Sequence, residues 1–202
     1  MSISAADVKK LRDMTGAGMM DAKKALSESN GDFDNAVKYL REKGLADSKK
    51  RADKEANQGT IGDYIHFQQD RAVAGVLVEL ACETDFVAKS DEFKNVYQRQ
   101  AMHVAAWKPE FVNIDEVPES RIDEEKDIIQ KQSENEGKPT DVIEKIVEGK
   151  LSSFYKDYVL NEQTFCNPEF YEGQVGTMIE ELSGKLGEKI YIKKFSRIEV
   201  GT

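Results

Sequence analysis

The side chains able to do covalent or metal chemistry are few. The 202-residue chain has two cysteines, Cys82 and Cys166, and two histidines, His66 and His103. A cysteine nucleophile needs a base to activate it and surroundings that lower its pKa. Cys82 stands in "ACETDF", where Glu83 and Asp85 push a thiol the other way. It reads as a buried, inert residue. No Cys-x-x-Cys pair occurs, and the histidines lie 37 positions apart with no second His or Cys close by. A zinc site is therefore not expected. The glycine-rich "GAGMMD" at 16–21 follows a helical pattern rather than a strand and lacks the Gly-Lys-Ser/Thr of a phosphate loop, which argues against a nucleotide site there. The chain reads as a non-enzyme, with no catalytic residue, metal or cofactor.

What remains are residues suited to contact. Met19 and Met20 are adjacent, so both cannot point into a small core, and methionine is a pliant contact residue. In "ELACETDFVAKSDEF" (79–93) a β-rich run ends at Cys82, and Phe86 follows almost at once. Thr84, Asp85 and Phe86 read as a loop between a strand and a helix opened by Ser90. Loops held by rigid elements are where recognition residues sit. Phe86 either closes a core at this corner or is aimed outward, and the local pattern favours the second.

The elements that must hold these residues follow from spacing. Residues 4–44 read as three helices. Ser4 with Asp7 makes a capping box, Val8, Leu11 and Met14 give helical spacing, and Asn30-Gly31 marks a turn. Phe33, Val37, Tyr39 and Leu40 lie on the third helix, which Gly44 is expected to stop. Residues 45–59 read as a charged, partly helical linker. Two strands of a hairpin follow over 60–82, turning at "QQDR"; the second is apolar enough to be buried on both faces, with Gly75 marking a close backbone approach. A helix over 91–107 carries a stripe of Phe93, Val96, Tyr97, Ala101, Val104 and Trp107. Two more helices, 118–135 and 141–158, form an antiparallel hairpin, and "VLNEQTFCNPEF" is a loop. A helix over 175–186 stops at Gly187, and "KIYIKKFSRIEV" is a strand with a bulge. The fold class is α+β, with a three-stranded antiparallel sheet backed by helices.

Charge narrows the partners. The net charge is −9, unevenly spread: residues 1–56 hold 12 basic and 10 acidic side chains, the rest 17 and 28. The larger part repels polyanions, so direct nucleic-acid binding is not expected. No apolar run approaches the roughly 18 residues of a membrane span. Two cysteines without a disulfide framework suit a reducing, cytoplasmic setting.

"VKKLRDMTGAGMMDAKKALSESNGDFDNAVKYLREKG" and "VLVELACETDFVAKSDEF" resemble the two signatures of bacterial translation elongation factor Ts. "QAMHVAAWKPEF", "EGKPTDVIEKIVEGKL" and "KIYIKKFSRIEVG" resemble further segments of that family in the same order. The resemblance covers nearly the whole chain. It implies a guanine-nucleotide exchange factor for elongation factor Tu. It implies that residues 1–44 form a ubiquitin-associated-like bundle contacting the partner's GTPase domain, through Leu11, Arg12, Met19 and Met20. It implies that Thr84, Asp85, Phe86, Val87 and Ala88 reach the same domain, with the Phe86 ring wedging near the magnesium site. His103 and the 163–165 loop are implied contacts to another domain of the partner. Residues 45–59 are then a linker and 60–202 an α+β core. Longer members carry two related core subdomains; this chain has room for one, which implies a homodimer. "EQTF" replaces the family's usual "EQPF", so this loop is expected to be less rigid. The alternatives are an adaptor whose bundle binds ubiquitin-like partners, and a small cysteine-dependent enzyme.

Overall fold

A computed structural model describes residues 3–201, apart from the side chain of Asp141. The elements run α1 (Ala5–Thr15), α2 (Met19–Glu28), α3 (Phe33–Lys50), β1 (Gln58–Gln68), β2 (Arg71–Cys82), α4 (Asp85–Ala88), α5 (Asp91–Trp107), α6 (Glu119–Asn135), α7 (Thr140–Tyr158), α8 (Val175–Leu186) and β3 (Tyr191–Glu199). The strands form one sheet in the order β1-β2-β3. β3 runs antiparallel to β2: Val200 donates its N–H to Val73, while Lys193 pairs with Glu79. The α+β class expected from the sequence is the fold observed.

Two compact units make up the chain. The first runs to Thr60 and adds Leu80–Asn95 and Ile179–Tyr191. Its helical part begins at Ser4, whose hydroxyl accepts the Asp7 N–H while Asp7 reaches back to the Ser4 N–H, the expected capping box. Gly16, at φ 71°, ends α1 in the left-handed region. Asn30 (φ 52°) and Gly31 (φ 84°) turn the chain, and Asp32 caps α3 by accepting the Asn35 N–H at 2.9 Å. The core is made of Val8, Leu11, Ala22, Ala25, Leu26 and Ala36, with Phe33, Val37, Tyr39 and Leu40 half-buried around it. Three alanines let the helices approach closely, which compensates for a short chain.

Gly44 does not stop α3, which continues to Lys50 and takes in the first residues of the expected linker. The reason lies on α8. A Cβ on Gly184 would sit 2.6 Å from both Cα and carbonyl O of Gly44. The two glycines mark a crossing of helix backbones, secured by the Arg41–Glu181 ion pair.

The second unit holds Ile61–Glu79, Val96–Met178 and the chain from Ile192 on. The hairpin turns at Gln69 (φ 55°) and Asp70. β2 is not buried on both faces along its length: Val76 and Val78 are buried, whereas Leu77 between them is 53% exposed. Nor is Gly75 the close approach, since a Cβ there would meet only Ile65 Cδ1, at 3.3 Å. The approach is at Gly62, where a Cβ would come 2.8 Å from the carbonyl carbon of Tyr97. Along β1, Ile61, Ile65 and Phe67 share a face and are exposed, as is Leu77. Lys193 and Lys194, adjacent in β3, both reach Glu79, at 2.8 and 3.6 Å, which breaks alternation as a bulge does. α6 and α7 pack as the expected hairpin, and Phe154 is buried with Val117 and Val159 among Phe111, Ile122, Leu151, Tyr155 and Tyr158. The stripe of α5 is buried at Phe93, Val96, Ala101 and Val104 but not at Trp107, which is exposed. Its buried positions also include two polar residues, Gln100 and His103.

Candidate partner-binding site

The segment after β2 is not a loop. Residues Asp85–Ala88 form a single helical turn, α4. Thr84 caps it: the hydroxyl accepts the Val87 N–H at 3.4 Å. Ser90 closes the other end, donating to the Val87 carbonyl at 2.8 Å and accepting the Phe93 N–H of α5 at 3.3 Å. Ala88 is buried beneath, and its carbonyl accepts the Thr60 hydroxyl at 3.4 Å. With both ends capped and one side anchored, the remaining side faces water. Phe86 lies there, 85% exposed, more than any other large apolar side chain among the described residues. Of the two readings of Phe86, the outward one matches this placement. Asp85, also exposed, pairs with Lys89 at 2.6 Å, and that ammonium holds its carboxyl below the usual carboxylate range. Val87 is half-buried.

In the bundle of the same unit, Met19 is 47% and Met20 77% exposed at the start of α2, and Arg12 is exposed on α1. Gly16 and Gly18 are accounted for by the turn: the first takes a left-handed φ beside the Lys185 side chain, and the second is the N-cap of α2. Leu11, expected at the contact surface, is fully buried in the bundle core. Its place in the α1 stripe turns it inward, so it supports the surface from below. Met14, expected in that stripe, is 60% exposed instead. It stands at the same end of the bundle as Met19 and Met20, across the short Gly16–Gly18 connection, and makes a third methionine there. Helical spacing alone places Met14 with Val8 and Leu11, and spacing does not tell the last turn of a stripe from its buried middle.

His103 is also fully buried. Its Nδ1 accepts the Cys166 N–H at 3.1 Å, and its Nε2 lies 3.0 Å from Gln163 Oε1. That pattern requires the neutral ring with its proton on Nε2. The ring stacks on Phe165 at 5.3 Å between centroids. Burial pushes its pKa down to about 4. It is a brace for the 163–166 segment and offers no surface to a partner. Glu162, three residues before Phe165, ends a short helical turn, Leu160–Glu162, that the sequence did not suggest.

Cys82 is buried, donates its thiol proton to the Thr84 carbonyl at 3.1 Å, and is pushed up to about 11 by burial and by the Glu188 carboxylate. A thiol in that state is a poor nucleophile at neutral pH. Among the described residues, no three His, Cys, Asp or Glu side chains gather as metal ligands would. No helix among them is long and apolar enough to cross a membrane.

The comparisons with known proteins agree along the length of the chain. The family described as Elongation factor TS matches residues 4–202. Elongation factor Ts of Moorella thermoacetica is 50% identical over 199 residues, covering 98% of this chain and 96% of that one. The protein of the same name from Fervidobacterium nodosum is 48% identical over 201 residues, covering 100% of both. That of Thermosipho melanesiensis is 48% identical over 199 residues, covering 98% of this chain and 99% of its own. Both the helical bundle and the Phe86 turn fall inside these matches, and at such identity over such length the chain belongs to the elongation factor Ts family.

Proposed function

We propose that the protein is a guanine-nucleotide exchange factor acting in translation elongation: it binds GDP-bound elongation factor Tu, promotes GDP release, and is displaced when GTP binds. The observation that carries this reading is Phe86, an aromatic ring 85% exposed on a turn capped at both ends. A free protein gains nothing from that exposure, whereas a partner that buries the ring gains a large contact at low entropic cost. The ring wedges near the partner's magnesium site. Asp85, Thr84 and Val87 flank it, and Ala88 seats the turn. Arg12, Met19 and Met20 form the second contact, from the helical bundle of the same compact unit as the Phe86 turn.

The mechanism is thermodynamic linkage, with no bond made or broken on this chain. If factor and GDP each weaken the other's binding, the effect is reciprocal. A coupling of about 4 kcal/mol corresponds to roughly a thousandfold change in affinity. The protein acts in the cytoplasm, without direct contact to nucleic acid or membrane. It works as a homodimer through the uncovered sheet face of Ile61, Ile65, Phe67 and Leu77. Lys193, Lys194 and Glu79 at the margin of that face supply both signs of charge, which suits a self-complementary contact.

The test is Phe86→Ala, read by the release of labelled GDP from elongation factor Tu in stopped flow. Losing a buried aromatic anchor costs about 2–4 kcal/mol, so stimulated release is expected to slow by roughly one to two orders of magnitude. The chain's own stability is expected to change by under ~1 kcal/mol. Full exchange activity in the variant would remove the wedge.

A further inference from the structure

A four-residue helix does not hold its own orientation, because helix formation is dominated by nucleation. The bracing of α4 comes from a polar clasp more than a hundred residues away in sequence. Glu188 Oε2 accepts the backbone N–H groups of Glu83 at 3.1 Å and Thr84 at 3.0 Å. Its Oε1 accepts the Thr84 hydroxyl at 2.6 Å. A hydroxyl has one proton and two lone pairs. With the proton directed at Glu188, a lone pair is left for the Val87 N–H, so the carboxylate sets the cap of the turn that bears Phe86.

The contact is reciprocal. Glu83 Oε1 accepts the N–H of Lys189 at 2.6 Å, and its Oε2 faces Lys54 Nζ at 3.2 Å. The Lys189 ammonium in turn donates to the carbonyl oxygens of Ala52 and, at 2.9 Å, of Lys54. Three segments of one compact unit are thereby tied: the chain just beyond α3, the residues entering α4, and the turn leaving α8. The last is itself fixed, because the Ser183 hydroxyl donates to the Glu188 carbonyl and α8 crosses α3 at Gly44 and Gly184. α3 belongs to the bundle that presents Met19 and Met20.

We propose that Glu188 is a positioning residue for nucleotide exchange, holding the Phe86 turn in a fixed relation to the bundle so that ring and methionines act as one rigid surface. This rests on the reading of Phe86 as the wedge. A ring on a loose turn still docks, but it yields instead of displacing the partner. The effect of the clasp is therefore on the maximal rate of release more than on half-saturation.

The experiment compares Glu188→Ala, Phe86→Ala and the double variant in stimulated GDP release from elongation factor Tu, over a range of factor concentrations. Glu188→Ala is expected to lower the maximal rate about tenfold, the loss of charged hydrogen bonds to one turn, with half-saturation changed less than threefold. In the Phe86→Ala background the same substitution is expected to change the rate less than twofold, because both act through one ring. Glu188→Gln, which keeps one acceptor oxygen, is expected to fall between, and it takes the place of Glu188→Ala in the cycle if the alanine variant unfolds. An unchanged rate with intact Phe86, or an equal loss in both backgrounds, overturns the positioning role while leaving the wedge standing. Full activity of Phe86→Ala alone overturns the wedge, and the positioning role with it.

Discussion

The crossing of α3 and α8 yields a prediction of opposite sign for two glycines that face each other. A Cβ on Gly184 would lie 2.6 Å from both Cα and carbonyl O of Gly44. These are backbone atoms and cannot swing aside. Restoring a carbon–carbon separation of roughly 3.6 Å requires the helices to part by about 1 Å. Overpacking of this kind costs roughly 1–3 kcal/mol, against about 1 kcal/mol gained by replacing a helical glycine with alanine. The reciprocal substitution is different. A Cβ on Gly44 would lie 3.7 Å from Gly184 Cα, an ordinary contact, so it keeps the helical gain without the overlap. Gly44→Ala is therefore expected to stabilise by roughly 0.5–1 kcal/mol and Gly184→Ala to destabilise by about 1 kcal/mol net. The gap of about 2 kcal/mol corresponds to roughly 4–8 °C in Tm for a chain of this size. Urea unfolding and calorimetry of the two variants measure it. Equal stabilities, or Gly44→Ala as the weaker protein, would show that the close approach does not govern how α3 docks.

Met20→Ala is expected to weaken binding to elongation factor Tu about tenfold while shifting unfolding by less than ~0.5 kcal/mol, since the side chain is 77% exposed; titration and melting of the same variant separate the two. His103 makes stability depend on pH. Its folded-state pKa, about 4, is depressed from 6.5, so the unfolded chain takes up the proton first, and stability present above pH 6.5 is lost as the pH falls through 4. The full loss is about 3 kcal/mol at 1.36 kcal/mol per unit. Urea midpoints between pH 7 and pH 4 show it, and an identical slope in His103→Gln contradicts it. For the uncovered sheet face, Leu77→Lys is expected to convert a dimer into a 22.8 kDa monomer by sedimentation at micromolar concentration; a wild-type protein already monomeric there removes the dimer.

What was legible in the sequence was local. Ser4 with Asp7, Asn30-Gly31 and Gly187 announce helix ends because caps and turns depend on neighbours within four residues. The outward Phe86 was legible for a similar reason: a strand ends just before it and Ser90 caps a helix just after. That the stretch between is a helical turn was not, because one of the groups that grip its entry, Glu188, lies 104 residues on from Thr84. Gly44 misled in the same way. Its role depends on Gly184, 140 positions later, and a glycine that ends a helix looks in sequence like one that lets another helix pass. The burial of His103, which the family resemblance had implied to be a contact, was not legible because a stripe read from apolar residues skips polar ones. Its burial depends on acceptors and donors at Gln163 and Cys166 that no periodicity reveals. Leu77 was misread because an apolar strand looks the same whether its second face is covered by its own chain or left open.

The span of the clasp also sets an order in time. Thr84 and Glu188 are 104 residues apart. At roughly 5–20 residues per second of synthesis, about 5–20 s pass between the addition of Thr84 and that of Glu188. Over that interval the turn has Thr84 but not the carboxylate that commits its hydroxyl. The turn that bears the ring thus gains its distant brace only once α8 has been made and the chain beyond it has folded back. A nascent molecule, or one cut off before α8, has the ring without the brace, and the geometry around Phe86 belongs to the finished fold alone.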